Sequence, residues 1–211
     1  MRIGIDARPM YLGASRYRGI GTYVANLVGA LRREGGHEYK PYVCHPAVLR
    51  MSQAAGRWIP RRPAHWVEQS VWLTTSALIR YQITRDAIDV FHSTDPLFVL
   101  SATGRVKSVA TVHDPIPLLY REDLAQRSLI GQSLYHQSVQ ALTQVDHIIT
   151  PSRAVKEDLV RLLGIPRENI TPIYHGVDRR FKPLRNQQAV AGALARYGIP
   201  HRYILYIGGV D

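Results

Sequence analysis

Two histidines follow apolar, strand-like runs, where a side chain could do chemistry. His113 follows the run Val109–Val112 and precedes Asp114, so it could exchange a hydrogen bond or a proton with a ligand hydroxyl near neutral pH. The structural alternative is a histidine whose ring nitrogens are hydrogen-bonded to the backbone of the loop. His92 ends another apolar run and has the same two interpretations, with a strand-end turn favoured. His92 and Asp114 are therefore candidate contacts for a ligand or an acceptor in a cleft.

A glycine-rich segment, RGIGT, lies between the first strand-like run and a helix. Gly19 and Gly21 would let a ligand approach the backbone closely, and the unpaired N–H groups at a helix start favour a phosphate. The segment lacks the third glycine of the dinucleotide fingerprint. A loop that needs flexible dihedral angles is the structural alternative. Arg18, directly before the glycines, is a further candidate contact for the acceptor or the cleft.

Several other kinds of chemistry have no motif in this chain. It contains no G-x-S-x-G nucleophile elbow, no Walker loop, no H-E-x-x-H and no D-x-D that could hold a metal-bound diphosphate. Its single cysteine, Cys44, excludes an internal disulfide and a zinc cluster built on cysteines. We therefore expect no metal and no cofactor.

The stretch from Tyr39 to Val67 contains no acidic residue and several basic ones, with tryptophans among them. Arginine and tryptophan together suit an anionic membrane surface. They also suit single-stranded nucleic acid, through stacking, although this is the less favoured partner. A surface loop whose tryptophans fold back onto the core is the structural alternative. The candidate membrane contacts are Arg50, Arg57, Trp58, Arg61, Arg62 and Trp66.

The elements that would position these residues alternate between strand and helix along the chain. This order predicts an α/β fold with a Rossmann-like, doubly wound parallel sheet. In such sheets ligands bind outside the carboxyl ends of the strands, where the candidate residues stand. The predicted strands are Arg2–Asp6, Tyr39–His45, Asp89–Ser93, Val106–His113, His147–Thr150, Asn169–Tyr174 and Tyr203–Ile207. The predicted helices begin near Gly21, Val67, Glu122, Ala154 and Gln187.

Composition sets the class and the compartment. The 211 residues include 45% hydrophobic residues, which excludes disorder as the main state and fits one domain with part of a second. With 27 basic and 16 acidic residues the net charge is +11, which favours an anionic partner without naming it. The lone cysteine and the absence of a signal peptide or an apolar span predict a cytoplasmic protein.

The motifs, taken in order, resemble the N-terminal half of glycosyltransferase family 4, and in particular its bacterial mannosyltransferases of polysaccharide assembly. The resemblance covers essentially the whole chain. It rests on MRIGIDARP, GIGTYVANL, FHSTD, VATVHDPIPL, DHIITPSRAVKEDL, IYHGVDRRFKP and YILYIGGVD. That family has the GT-B fold, in which an N-terminal Rossmann-like domain recognises the acceptor and a C-terminal domain binds the nucleotide-sugar donor.

The resemblance implies retaining, metal-independent transfer of a hexosyl unit, with mannose as the nearest parallel, to a glycan or lipid-linked acceptor. Gly19 and Gly21 would contact the donor diphosphate, and His113 would contact the donor sugar and support catalysis. It implies an acceptor-side domain at 1–175, a linker at 176–184 and the start of a largely missing donor domain at 185–211. We therefore expect the isolated chain to be inactive and the enzyme to lie on the inner face of the cell membrane.

The competing hypothesis is a binding module without catalysis. A Rossmann-like domain with a basic surface could bind a phosphorylated ligand or nucleic acid. Binding to nucleic acid that weakens linearly with the logarithm of salt concentration would favour this module. Retention on anionic vesicles without affinity for nucleic acid would favour the transferase.

Overall fold

The computed structural model describes residues 1–11, 19–43, 74–96, 99–100, 104–119, 129–177, 181–200 and 202–206. The chain divides into two compact units, Met1–Tyr174 and His175–Asp211.

The first unit is built on a parallel sheet with six strands in its described part. The strand order is β2-β1-β3-β4-β5-β6, and every neighbouring pair is parallel. This confirms the predicted α/β, Rossmann-like doubly wound sheet. The strands are β1 (Arg2–Asp6), β2 (Glu38–Tyr42), β3 (Val90–Ser93), β4 (Lys107–Thr111), β5 (His147–Thr150) and β6 (Ile170–Pro172).

Helices connect the strands, as a parallel sheet requires. Short 3₁₀ turns lie at Arg8–Met10 and Arg167–Asn169. The helices of the first unit are α1 (Gly19–Glu34), α2 (residues 74–85), α3 (Ile116–Leu119), α4 (Leu129–Leu142) and α5 (Arg153–Leu163). The second unit contains α6 (Gln187–Arg196).

The ends of the helices follow the local signals in the sequence. The Ser152 side chain accepts a hydrogen bond from Val155 N at 3.2 Å and caps α5, as predicted. Gly164 ends the same helix with φ 64°, the left-handed conformation that glycine adopts without strain. Gly35 and Gly36, with φ 70° and 78°, follow the end of α1 in the same way.

The core consists of apolar side chains from strands that are covered by helices. Ile5 of β1 packs with Val24 and Val28 of α1. Phe91 of β3 packs with Ile79 of α2. These contacts fix α1 and α2 against the strands whose carboxyl ends carry the candidate residues. The third cluster comprises Val99, Ala110, Val112, Leu142, Val145, Ile148, Leu159, Ile165 and Ile170.

One local prediction was wrong. Residues 203–206 form no strand, and Ile204 and Tyr206 are 101% and 82% exposed. An apolar run becomes a strand only where a neighbouring strand pairs with it. After Asp114, residues Ile116–Leu119 form the short helix α3, although this segment contains Pro117 and follows Pro115. Proline is tolerated in the first turn of a helix, where its missing N–H costs nothing.

Candidate functional site

The candidate site lies where the strand order reverses. Strand β1 has β2 on one side and β3 on the other, so chain connections leave β1 and β3 in opposite directions. In open parallel sheets this arrangement opens a crevice at the carboxyl ends of the strands. The residues at these ends are Asp6 of β1, Ser93 and Thr94 at the end of β3, and Thr111 of β4.

His113 is held by the backbone of the neighbouring strand end. It follows β4 by two residues and is half-buried. Its Nε2 atom donates a hydrogen bond to the Thr94 carbonyl oxygen at 3.0 Å. Because a carbonyl oxygen can only accept, Nε2 carries the hydrogen, and in the neutral ring the lone pair resides on Nδ1. The sequence left two interpretations open, a ring that contacts a ligand or a ring that is hydrogen-bonded to the loop backbone. The structure shows that one ring nitrogen is hydrogen-bonded to the backbone.

Tyr23 of α1 forms the side of the site next to His113. The two ring centroids lie 4.9 Å apart at an interplanar angle of 81°, an edge-to-face contact. The Tyr23 hydroxyl lies 3.3 Å from Thr111 Oγ1. Burial raises the pKa of Tyr23, and the hydrogen bond with Thr111 opposes this. Tyr23 is therefore neutral at physiological pH.

His92 is buried, which agrees with the structural interpretation that the sequence favoured for this residue. The residue is 8% exposed, so its ring does not line an open cleft. Its Nε2 atom lies 2.7 Å from Thr111 Oγ1. Burial lowers the pKa of His92 to about 4, the charge of Asp6 raises it, and His113 lowers it further. A neutral His92 thus supports Thr111, which in turn contacts Tyr23.

A buried ion pair anchors the end of β1. The side chains of Asp6 and Arg8 are both fully buried. Arg8 Nε lies 2.9 Å from Asp6 Oδ1, and Arg8 Nη2 lies 2.5 Å from Oδ2. The other end of the guanidinium donates to Thr75 Oγ1 at 3.2 Å and Ser76 Oγ at 2.7 Å, on α2. Thr94 Oγ1 donates to the Asp6 carbonyl at 2.6 Å, which joins this pair to the backbone that holds His113.

The two glycines open helix α1. Gly19 is exposed, with no atom within 4 Å of where a Cβ would stand, whereas Gly21 is buried. Tyr23 follows Gly19 by four residues, which places the helix start about 6 Å along the axis from the residue that contacts His113. The first turn of a helix has N–H groups without partners inside the helix, so the start of α1 offers such groups near the tyrosine that contacts His113.

Asp114 has a local structural role. The residue is exposed, and its Oδ1 atom accepts a hydrogen bond from Ile116 N at 3.1 Å. This contact satisfies the first turn of α3, as an N-terminal aspartate commonly does. Arg18 lies outside the described residues, so its expected contact with a ligand stays a prediction.

The candidate membrane residues, at positions 50, 57, 58, 61, 62 and 66, also lie outside the described residues. One basic residue of the same stretch is described. Lys40 Nζ lies 2.6 Å from Asp86 Oδ2, so its charge is already balanced within the fold. No helix in the described part of the chain is long and apolar enough to cross a membrane.

The chemistry available at the site is hydrogen bonding. Within the described ranges, no group of three or more His, Cys, Asp or Glu side chains could hold a metal ion. Every buried side-chain polar atom of those same ranges has a hydrogen-bond partner. His113, Tyr23 and Thr111 therefore form a hydrogen-bonding surface beside a helix start that favours an anion.

Sequence reasoning missed several residues of this site. Tyr23 contacts His113 and Thr111, which lie about ninety residues further along the chain, so no local sequence pattern predicts these contacts. Thr94 acts through its backbone carbonyl, which any residue would supply. The pair Asp6 and Arg8 did carry a signal, because opposite charges two residues apart at the end of an apolar strand favour a local ion pair.

These features define a Rossmann-like α/β protein whose candidate residues lie at the reversal point of its parallel sheet. Comparison with known proteins identifies the family. Residues 17–181 match the sequence model of Glycosyltransferase Family 4, and this range contains most of the chain, including Tyr23, Thr94 and His113. The chain belongs to glycosyltransferase family 4.

Individual relatives are more distant. The chain is 28% identical over 118 residues to the O-antigen chain mannosyltransferase RfbU of Salmonella typhimurium, a match that covers 56% of this chain and 30% of that protein. The crystal structure of a glycosyltransferase from Rickettsia africae ESF-5 is 13% identical, with a TM-score of 0.45, over 94% of this chain and 50% of that one. The chain thus spans half or less of the length of these two proteins.

Proposed function

We propose that the protein is a retaining, metal-independent glycosyltransferase that moves a hexosyl unit from a nucleotide sugar to a glycan or lipid-linked acceptor. Membership of glycosyltransferase family 4 supports glycosyl transfer in general. The similarity to a mannosyltransferase favours mannose as the sugar and GDP-mannose as the first donor to test. The alternative of a binding module without catalysis is less favoured, because the family match runs through the candidate site.

The observation that carries the proposal is the placement of His113. Its ring is fixed by the Thr94 carbonyl and the edge of Tyr23, one helical turn from the start of α1. A nucleotide sugar carries a diphosphate next to its sugar ring. The helix start suits the diphosphate, and the imidazole suits the hydroxyls of the sugar.

Each candidate residue then has a role. The backbone N–H groups at Gly19 and Gly21 would stabilise the negative charge that grows on the leaving diphosphate. His113 would contact the donor sugar and favour the transition state over the bound substrate. Residues 1–175 would form the acceptor-side domain, 176–184 the linker, and 185–211 the first part of a donor-binding domain. Because the chain spans only part of its relatives, we expect the whole protein, and not this segment alone, to turn over substrate.

The test is a transfer assay on the full-length protein and on the 211-residue chain. Each is incubated with GDP-mannose or UDP-glucose, with and without EDTA, and released nucleotide is measured. Turnover by the full-length protein alone, unchanged by EDTA, with an α-linked product from an α-linked donor, is the expected result. No release from any nucleotide sugar, together with affinity for nucleic acid that falls with salt, would support the binding module instead.

A lipid-linked acceptor would also require contact with a membrane surface. We propose that the basic stretch supplies it and that the protein is cytoplasmic and peripheral to the inner face of the cell membrane. Arg50, Arg57, Arg61 and Arg62 would add about 4 kcal/mol of attraction to anionic lipid, at about 1 kcal/mol each. That is weak alone, so insertion of Trp58 or Trp66 would have to strengthen it.

Vesicle co-sedimentation tests the membrane contact. Binding should need anionic lipid, fall with salt, and drop in the double variant Arg61→Glu, Arg62→Glu. The double variant Arg32→Glu, Arg33→Glu, in the exposed end of α1, serves as the charge-matched control. Equal binding to neutral vesicles, or equal loss in both double variants, would contradict the proposal.

A further inference from the structure

We propose that Thr94 is a positioning residue of the candidate site, because its hydroxyl fixes the carbonyl oxygen that holds His113. Thr94 Oγ1 donates to the Asp6 carbonyl at 2.6 Å, and the Thr94 carbonyl accepts from His113 Nε2 at 3.0 Å. Any residue supplies a carbonyl at position 94, whereas the hydroxyl belongs to the threonine side chain. This inference rests on the role proposed for His113, and one part of its test needs no substrate, so the two can fail separately.

Thr94 comes directly after the paired part of its strand. The register of β1 and β3 ends with the pair Ile5 and His92. The register of β3 and β4 ends with the pair Ser93 and Ala110. Both hydrogen bonds given above for Thr94 are made by side chains, one towards the end of β1 and one from the segment that follows β4. The position of its carbonyl therefore depends on these side chains and not on the regular pairing of the sheet alone.

The acceptor of the Thr94 hydroxyl is held in place from its own side. Asp6 and Thr94 are both fully buried. The Asp6 carboxylate pairs with Arg8, which is also fully buried. The same guanidinium donates to Thr75 Oγ1 at 3.2 Å and to Ser76 Oγ at 2.7 Å, on α2. Because breaking a buried ion pair is costly, the Asp6 carbonyl is a fixed point to which the hydroxyl is tied.

Removing the hydroxyl should therefore move the carbonyl. Valine has nearly the shape of threonine without the donor, so Thr94→Val leaves the buried Asp6 carbonyl without this hydrogen bond. We expect the end of β3 to shift in response and to displace the Thr94 carbonyl from His113 Nε2. Since a displacement of about 1 Å can lower turnover about 100-fold, a small shift is enough to affect catalysis.

The first experiment is a double-mutant cycle, measured by urea unfolding of the 211-residue chain, with Thr94→Val, His113→Ala and the double variant. Each single variant loses a hydrogen bond, so its equilibrium constant of unfolding should rise. Part of the His113 bond is already lost in Thr94→Val, so the increase in the double variant should be at least about threefold below the product of the two single increases. In Thr94→Ser, which keeps the hydroxyl, His113→Ala should have its full effect.

Thr150→Val is the matched control for the cycle. Thr150 is also a fully buried threonine at the carboxyl end of a strand, and its Oγ1 atom donates to the Ser152 carbonyl at 3.0 Å. This hydroxyl holds the start of α5 instead of the carbonyl that binds His113. Thr150→Val should therefore raise the unfolding constant, and its effect should add to that of His113→Ala. Thr94→Ala replaces Thr94→Val if the valine variant does not fold.

The second experiment measures kcat and KM of the full-length protein with a nucleotide sugar that it turns over. Thr94→Val should lower kcat about tenfold or more with little change in KM, because a displaced imidazole affects the transition state more than the bound substrate. Thr94→Ser and the control Thr150→Val should both keep kcat within about threefold of the unmodified protein.

Non-additive effects in the cycle, together with a lowered kcat that serine restores, support the proposal. Additive effects of Thr94→Val and His113→Ala, or an equal coupling in the Thr150→Val control, overturn it. An unchanged kcat in Thr94→Val also overturns it where His113→Ala lowers kcat. Non-additive effects in a protein that transfers no sugar would leave the positioning intact and refute only the proposed function.

Discussion

The two ends of the parallel sheet hold their polar groups in different ways. At the carboxyl ends, His92 is 8% exposed, and the ion pair between Asp6 and Arg8 is fully buried. At the amino ends, Asp146 pairs with Lys107 at 2.7 Å, and the two side chains are 38% and 69% exposed. Buried polar groups are costly unless every hydrogen bond is made. The buried polar atoms at the carboxyl ends that the structure describes all have hydrogen-bond partners, so these groups are held rigidly, which is expected of a binding site.

The pKa shifts follow the same division. Burial keeps His92 neutral by lowering its pKa to about 4, and burial raises the pKa of Tyr23. The hydrogen bond and charge of Lys107, with hydrogen bonds from Ser108, instead keep Asp146 ionised and lower its pKa to about 2. Burial therefore keeps His92 and Tyr23 neutral at the carboxyl ends, whereas hydrogen bonds keep Asp146 charged at the amino ends.

The largest expected effect comes from breaking the buried ion pair. Arg8→Met leaves the Asp6 carboxylate buried without its partner, and Thr75 and Ser76 lose a donor. We expect a loss of about 3–5 kcal/mol in the free energy of unfolding. The measurement is urea unfolding of the chain.

Two comparisons sharpen this prediction. The double variant Asp6→Leu, Arg8→Met should recover most of the loss, because it buries no lone charge. Lys107→Met, at the exposed pair of the other end, should cost no more than about 1 kcal/mol. Equal losses in Arg8→Met and Lys107→Met would contradict the difference between the two ends.

The next effect is a pH dependence that arises at the carboxyl end. The pKa of His92 is about 4 in the folded protein and 6.5 as the ordinary value, so between these values only the unfolded chain binds the proton. Stability should therefore fall as pH drops from 6.5 towards 4, by up to about 3 kcal/mol from this group. His92→Gln should flatten the fall between pH 7.5 and 4.5 in urea unfolding, and His37→Gln, at an exposed histidine, should not.

The smallest effect belongs to the amino end and appears at lower pH. The pKa of Asp146 falls from 3.8 to about 2 on folding, so its contribution is complete above 3.8 and is lost as pH drops towards 2. Because the side chain is 38% exposed, we expect only about 1 kcal/mol. Asp146→Asn should reduce the loss of stability between pH 4 and pH 2.5. It should leave the pH dependence of the free energy of unfolding unchanged between pH 7.5 and 5. A change confined to the higher window would contradict the assignment.

The sequence predicted the sheet well because its signals there are local. Apolar runs such as His147–Thr150 and caps such as Ser152 and Gly164 act within a few residues, so they can be recognised from the sequence alone. The wrong prediction at Tyr203–Ile207 has the converse cause. A strand depends on a partner, and β-propensity alone does not supply one.

The candidate site was only half predictable for the same reason. His113, Gly19 and Gly21 stand at strand and helix ends, which the alternation of elements locates. What holds them comes from distant parts of the chain: the carbonyl of Thr94 and the ring of Tyr23. Whether a histidine such as His92 faces a crevice or the interior depends on packing against Thr111, which periodicity does not encode.

The central claim is that His113 takes part in glycosyl transfer, and its most direct test is the turnover number of His113→Ala in the full-length protein. The account predicts a loss of kcat of about 100-fold or more with GDP-mannose or whichever nucleotide sugar is turned over, and little change in KM. His37→Ala, at an exposed histidine away from the site, should retain full activity. A folded His113→Ala variant with unchanged kcat would contradict the claim and leave the imidazole as a structural contact of the Thr94 carbonyl.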